Sequence, residues 1–126
     1  MHRVFVYGTL RAGELNESWL GGAVHRGSAT TAPTFTLVDA GVYPAALDYG
    51  RTPIRGDVYD VDAATFADLD TLEGYPVFYT RRRIMTSAGE AWIYLWAAAR
   101  NRVWPVIDSG DWPRYRRLRD QPGELS

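Results

Sequence analysis

The helical periodicity that can organise this chain is confined to one short stretch, Asp62 to Glu73, and this limits the fold more than any other feature. Asp62 supplies an N-cap acceptor, while Gly74 and Pro76 stop the helix after about three turns. A single helix of that length has too little apolar surface to form a core, so strands must supply the rest. The remaining sequence reads as short β-branched and aromatic runs cut by Gly and Pro: residues 3–8, 34–39, 42–48, 54–61, 78–86 and 90–96. The last two face each other across Ser87-Ala88-Gly89 as a hairpin, and Pro44 assigns its run to an edge or a bulge. With 126 residues, 46% of them hydrophobic, the chain suits a single domain over 1–126. The expected fold class is α+β: a small mixed β-sheet curling into a barrel-like core, with one main helix packed against it. Asn16 is expected to cap a short helix ending at Gly21-Gly22. His25 is read as part of a Gly-rich loop. The tail is expected to be ordered through its aromatics to about residue 118 and to fray beyond.

Composition excludes several chemistries. The sequence has no Cys, which removes disulfides, thiolate nucleophiles and Cys-ligated metal. All 14 basic residues are Arg, so Schiff-base chemistry and a Walker-type phosphate lysine are excluded too. His2 and His25 lack partners at metal-ligand or triad spacing. Asp57, Asp60, Asp62, Asp68 and Asp70 match no calcium-loop pattern, so neither metal nor cofactor is expected. A formal net charge of −1 does not call for nucleic acid. Arg81-Arg82-Arg83 alternates across a strand and is read as solvated faces and internal ion pairs. No apolar run approaches the roughly 20 residues that span a bilayer, and Met1-His2-Arg3 leads directly into a strand pattern. A cytoplasmic protein without membrane contact is therefore expected. Carboxylates, Tyr, Ser/Thr, Arg and backbone groups remain available for catalysis.

Among these, Glu73 is the anomaly. It lies four positions from Leu69 and seven from Phe66, on the same stripe as those apolar side chains. It also ends the helix, where the macrodipole disfavours negative charge. Burial and the dipole both raise a carboxyl pKa toward the range a general acid or base needs. The competing reading is a frayed last turn that delivers Glu73 to solvent. A second feature is Tyr7-Gly8-Thr9-Leu10, which follows the first strand. Its backbone N–H groups either form a nest for a carboxylate or belong to an ordinary turn.

Val4-Phe5-Val6-Tyr7-Gly8-Thr9-Leu10-Arg11, taken with Leu69-Asp70-Thr71-Leu72-Glu73-Gly74-Tyr75-Pro76-Val77-Phe78-Tyr79-Thr80-Arg81, resembles the gamma-glutamylcyclotransferase-like family. The closest flavour is the branch that includes gamma-glutamylamine cyclotransferase and the butirosin-pathway cyclotransferase. Val42-Tyr43-Pro44-Ala45-Ala46, Gly56-Asp57-Val58-Tyr59 and Ser109-Gly110-Asp111-Trp112 extend the resemblance over most of the chain. Asp57 departs from the Glu that members often carry and is read as structural. The resemblance implies a small-molecule γ-glutamyl substrate. It also implies that Tyr7, Gly8, Thr9 and Leu10 hold the glutamyl moiety, that Glu73 is the acid/base, and that Tyr79 lines the site. The implied reaction is attack of the glutamyl α-amine on its own γ-carbonyl, giving 5-oxoproline and a free amine. Two other classes stand beside it: a non-catalytic binding module for a small carboxylate in the same pocket, and an Arg-mediated polyanion binder. The leaving group is sought in the loops at 30–33 and 98–105, and the oligomeric state is left open.

Overall fold

The first strand, β1 (His2–Val6), is buried on both faces: Val4, Phe5 and Val6 are all nearly inaccessible. Such a run belongs in the middle of a sheet. In the computed structural model, which describes residues 1–14, 16–97 and 103–121, β1 is the central strand of five. It pairs antiparallel with β5 (Arg55–Val61) and parallel with β7 (Gly89–Trp96), which makes the sheet mixed. β2 (Val24–Thr30) extends the β5 edge and β6 (Tyr79–Thr86) the β7 edge. β3 (Phe35–Asp39) and β4 (Pro44–Thr52) form a separate two-stranded ribbon.

Alternation along the strands divides the core in two. Phe5, Val58, Ile93 and Leu95 face Phe35, Leu37 and Ala46 of the ribbon, with Trp112 of the C-terminal helix α2 (Trp112–Arg119) completing that layer. On the other face, Val4, Val6, Tyr59 and Tyr94 pack against Phe66 and Leu69 of α1 (Ala63–Glu73). Leu20, from a 3₁₀ helix at Glu17–Leu20, closes the same side.

Both ends of α1 are fixed as its sequence predicts. The Asp62 carboxylate accepts the Thr65 N–H at 2.8 Å. Gly74 is left-handed at φ 67°; its N–H donates to the Thr71 carbonyl at 3.1 Å, and the Tyr75 N–H donates to the Asp70 carbonyl at 2.9 Å. These two bonds form a Schellman closure. The last turn is therefore intact, which removes the frayed reading of Glu73.

Three expectations need correction. His25 lies on β2, not in a loop, and its Nε2 sits 3.2 Å from Asp57 Oδ1. β2 is an edge strand on which Ala29 alone is buried, and its pairing slips between His25 and Gly27, so it carries no hydrophobic alternation to read. The tail forms the second helix, α2, with Asp111 as N-cap and Pro113 in its first turn, a position where Pro favours a helix. Asn16 makes no side-chain cap and instead donates to Thr9 Oγ1 at 2.9 Å. The end of the chain, where fraying is expected, falls largely on residues 122–126, which lie outside the described residues.

Candidate active site

Between the C-terminal end of α1, the turn after β1 and the start of β4 lies a cavity of about 450 Å³. Tyr7, Gly8, Thr9, Leu10, Glu73 and Tyr79 all line it, so every site residue singled out in the sequence reaches one space. The turn forms because the Arg11 N–H donates to the Gly8 carbonyl at 3.1 Å, which leaves Thr9 and Leu10 at its two central positions. Among the described residues, the N–H groups of Thr9 and Leu10 have no acceptor within the protein. The turn is held from behind. Asp57, itself buried, accepts Arg11 Nε at 3.0 Å and the Ala12 N–H at 3.2 Å, which accords with the structural role expected of it. The Asn16 N–H donates to the Thr9 carbonyl at 2.7 Å, and its side chain reaches the Thr9 hydroxyl.

Gly8 is needed because a Cβ there would stand 2.8 Å from Pro44 Cγ and 2.9 Å from Cδ. Gly8→Ala is expected to lower stability by about 1–3 kcal/mol through this overpacking, measured by urea unfolding.

The cavity walls are aromatic. Tyr7 Oη donates to the Tyr94 carbonyl at 2.7 Å and accepts the Ala46 N–H at 3.1 Å. Tyr79 Oη donates to the Pro44 carbonyl at 2.8 Å. Both phenols are thus engaged by backbone and fix the distance between the ribbon and the main sheet. Trp96 packs edge-on against Tyr79, with ring centroids 5.2 Å apart. Tyr43 and Phe78 stand at the rim, partly exposed.

Glu73 does not point into the hydrophobic core as its stripe suggests; it faces the cavity from the core's edge and keeps some access to solvent. Among the described residues no cation pairs with it. Burial pushes its carboxyl up to about 7. Burial raises the Tyr7, Tyr79 and Tyr94 phenols well above their ordinary range, aided by neighbouring charge that includes Glu73 and, for Tyr94, first by its hydrogen bond to Asp70, so all three are neutral at physiological pH.

Several of the charged residues singled out in the sequence are engaged away from the cavity. Arg81, Arg82 and Arg83 pair with Asp70, Asp48 and Glu90, and Asp60 takes both Arg3 and Arg26. Among the described residues, no three His, Asp or Glu side chains are grouped to hold a metal ion, and no helix is long and apolar enough to cross a membrane. Sequence reasoning missed Asn16, Tyr43 and Tyr94 as lining residues. A sequence signal existed for Tyr43, whose neighbours Pro44 and Ala45 already marked an irregular strand. Of the loops in which leaving-group contacts were sought, residues 30–33 do not line the cavity, and residues 98–102 lie outside the described residues.

Residues 4–114 match the family model described as gamma-glutamyl cyclotransferase, AIG2-like. A Vibrio cholerae protein provisionally assigned as a gamma-glutamylcyclotransferase is 46% identical over 111 residues, covering 88% of this chain and 95% of its own length. Among solved structures, an uncharacterised Pyrococcus horikoshii protein superposes with a TM-score of 0.79 at 27% identity, covering 97% of this chain and all of the other. A mouse AIG2-like protein superposes with a TM-score of 0.77 at 27% identity, covering 88% of each chain.

Proposed function

The chain belongs to the AIG2-like gamma-glutamyl cyclotransferase family, and from that premise we propose that it cyclises a γ-glutamyl amide to 5-oxoproline with Glu73 as the proton shuttle. The observation that carries this reading is the placement of a carboxyl titrating near 7 across one cavity from a turn with unused backbone donors. In the proposed reaction, the N–H groups of Thr9 and Leu10 hold the substrate α-carboxylate. Ionised Glu73 takes a proton from the α-ammonium. The freed amine attacks the γ-carbonyl, and a new C–N bond closes the five-membered ring. Protonated Glu73 then gives its proton to the departing nitrogen as the old γ-C–N bond breaks, and the regenerated carboxylate relays the second proton of the ring nitrogen to the released amine, which leaves as an ammonium beside neutral 5-oxoproline. Proton and charge balance within one cycle, and no enzyme nucleophile is required.

The physics suits this protein. Folding a substrate onto itself draws on the proximity advantage of intramolecular attack, which reaches roughly 7–11 kcal/mol. One carboxyl can serve as both base and acid only if its pKa lies near working pH, and a partly buried Glu without a cationic partner meets that condition. Tyr7 and Tyr79 shape the space instead of donating to the reacting atoms, since their hydroxyl protons already serve carbonyls. Leu10 and Gly8 give the turn its apolar floor and its close approach to Pro44. We further read the chain as a one-domain, metal-independent, cytoplasmic enzyme.

The test is a panel of γ-glutamyl amines, amino acids and peptides assayed for 5-oxoproline. The proposal expects product from at least one class. Thermal stabilisation by these compounds without any product would favour a binding module in the same cavity.

A further inference from the structure

Arg81 lies on β6 and does not line the cavity. Its guanidinium forms a two-point pair with Asp70, Nε to Oδ1 at 2.9 Å and Nη2 to Oδ2 at 3.1 Å. The same group lies over three rings: Phe66 of α1 at 4.3 Å, Tyr75 just after α1 at 4.6 Å, and Trp92 of β7 at 4.7 Å. A planar fork that pairs on its edge and stacks on its faces is a task for Arg, not Lys. Asp70 passes the constraint in two directions. Its carbonyl accepts the Tyr75 N–H that closes α1 one turn around Glu73, and its Oδ1 accepts the Tyr94 hydroxyl at 2.6 Å. Tyr94 in turn receives the Tyr7 hydroxyl on its carbonyl, at the residue where the Gly8–Leu10 turn begins.

We propose that Arg81 is a positioning residue for the cyclisation, fixing through Asp70 the distance between Glu73 and the substrate-holding turn while cancelling the Asp70 charge. This rests on the functional reading above. The remaining titratable groups that face Glu73 are Tyr7 from the turn, Tyr79 from β6 and Tyr94 from β7, with Tyr43 at the rim, and Asp70 is its neighbour one turn back on α1. Asp70 is thus the nearby anion whose neutralisation depends on Arg81.

The experiment compares Arg81→Met, Arg81→Lys and Asp70→Asn/Arg81→Met with wild type, using kcat, KM and the titration of Glu73 followed by NMR of 13C-carboxyl-labelled Glu. In Arg81→Met the uncancelled Asp70 carboxylate, at i,i+3 spacing, is expected to move the Glu73 midpoint up by about one pH unit. The double variant is expected to return the midpoint to its wild-type value while kcat stays low. Arg81→Lys, which keeps the charge and loses the fork, is expected to lower kcat by on the order of 10–10²-fold with KM and midpoint near wild type. An unshifted Glu73 midpoint in folded Arg81→Met, or wild-type kcat in Arg81→Lys, would overturn the proposal. The titration needs no substrate, so it still judges the placement of Arg81 if no γ-glutamyl compound is turned over, an outcome that would sink the functional reading instead.

Discussion

Glu73→Gln is expected to reduce 5-oxoproline formation by on the order of 10²–10⁴-fold, with little change in KM. Gln fills the same volume and keeps a polar tip in the cavity, so packing at the end of α1 should survive. What it lacks is a titrating proton for the α-ammonium and the departing nitrogen. Because the turn at Thr9 and Leu10 binds the substrate carboxylate in this account, saturation should be nearly unaffected, and the loss should fall on kcat. Glu73→Asp should be intermediate, since it keeps the acid but withdraws it by one methylene. Initial rates over a substrate range separate kcat from KM directly. Undiminished turnover in Glu73→Gln would exclude the proposed shuttle.

The same substitution should make the protein more stable, in a defined pH window. Glu73 has its folded-state pKa raised from an ordinary 4.5 to about 7. Between those values the folded state holds a proton that the unfolded chain has released, so stability falls as pH rises through the window. The favourable contribution is complete below about 4.5 and lost above about 7. Asp39 and Asp60 behave oppositely: hydrogen bonds from the Gly41 N–H, Tyr115 and Arg119 for one and from Arg3 and Arg26 for the other hold their carboxyls below the ordinary range despite burial. Their contribution is present at neutral pH and is lost only on acidification below the window. Urea unfolding of wild type and Glu73→Gln should therefore give curves that converge near pH 4.5 and separate by roughly 2–3 kcal/mol by pH 8, the variant being the more stable. A cavity that costs stability to keep a carboxyl poised is a common bargain at functional sites. Parallel stability curves from pH 4.5 to 8 would show that Glu73 titrates normally.

What could be read in the sequence was local. The limits of α1 follow from Asp62 and Gly74 because capping is decided within a few residues, and the β6–β7 hairpin follows from Ser87-Ala88-Gly89 between two strand-like runs, of which the structure pairs Gly89 with Thr86 and leaves Ser87-Ala88 as the turn. Glu73 was visible as a misfit because helical period and end position are both sequence properties. The structure refined its surroundings: the stripe it shares with Phe66 and Leu69 ends at a cavity, and Glu73 lines that cavity. The missed parts depend on long-range contact. β2 forms against β5 with one buried side chain, and its pairing is written mostly in its partner. α2 was hidden behind Pro113, which breaks a helix interior but opens a first turn. Tyr94 reads as any aromatic of a central strand; its place in the cavity wall is set by Asp70, 24 residues away. Arg81 likewise was one of three arginines read together as solvated faces and internal ion pairs, and only Asp70, Phe66, Tyr75 and Trp92 around it single it out.

The central claim is that bond cleavage here is intramolecular, with water taking no part in the chemistry. Turnover of a γ-glutamyl amide in H₂¹⁸O, followed by mass spectrometry of the acid product, tests it most directly. The account predicts 5-oxoproline free of ¹⁸O, released in equal amount with the amine. Glutamate carrying ¹⁸O in its side-chain carboxylate would show hydrolysis instead and would contradict it.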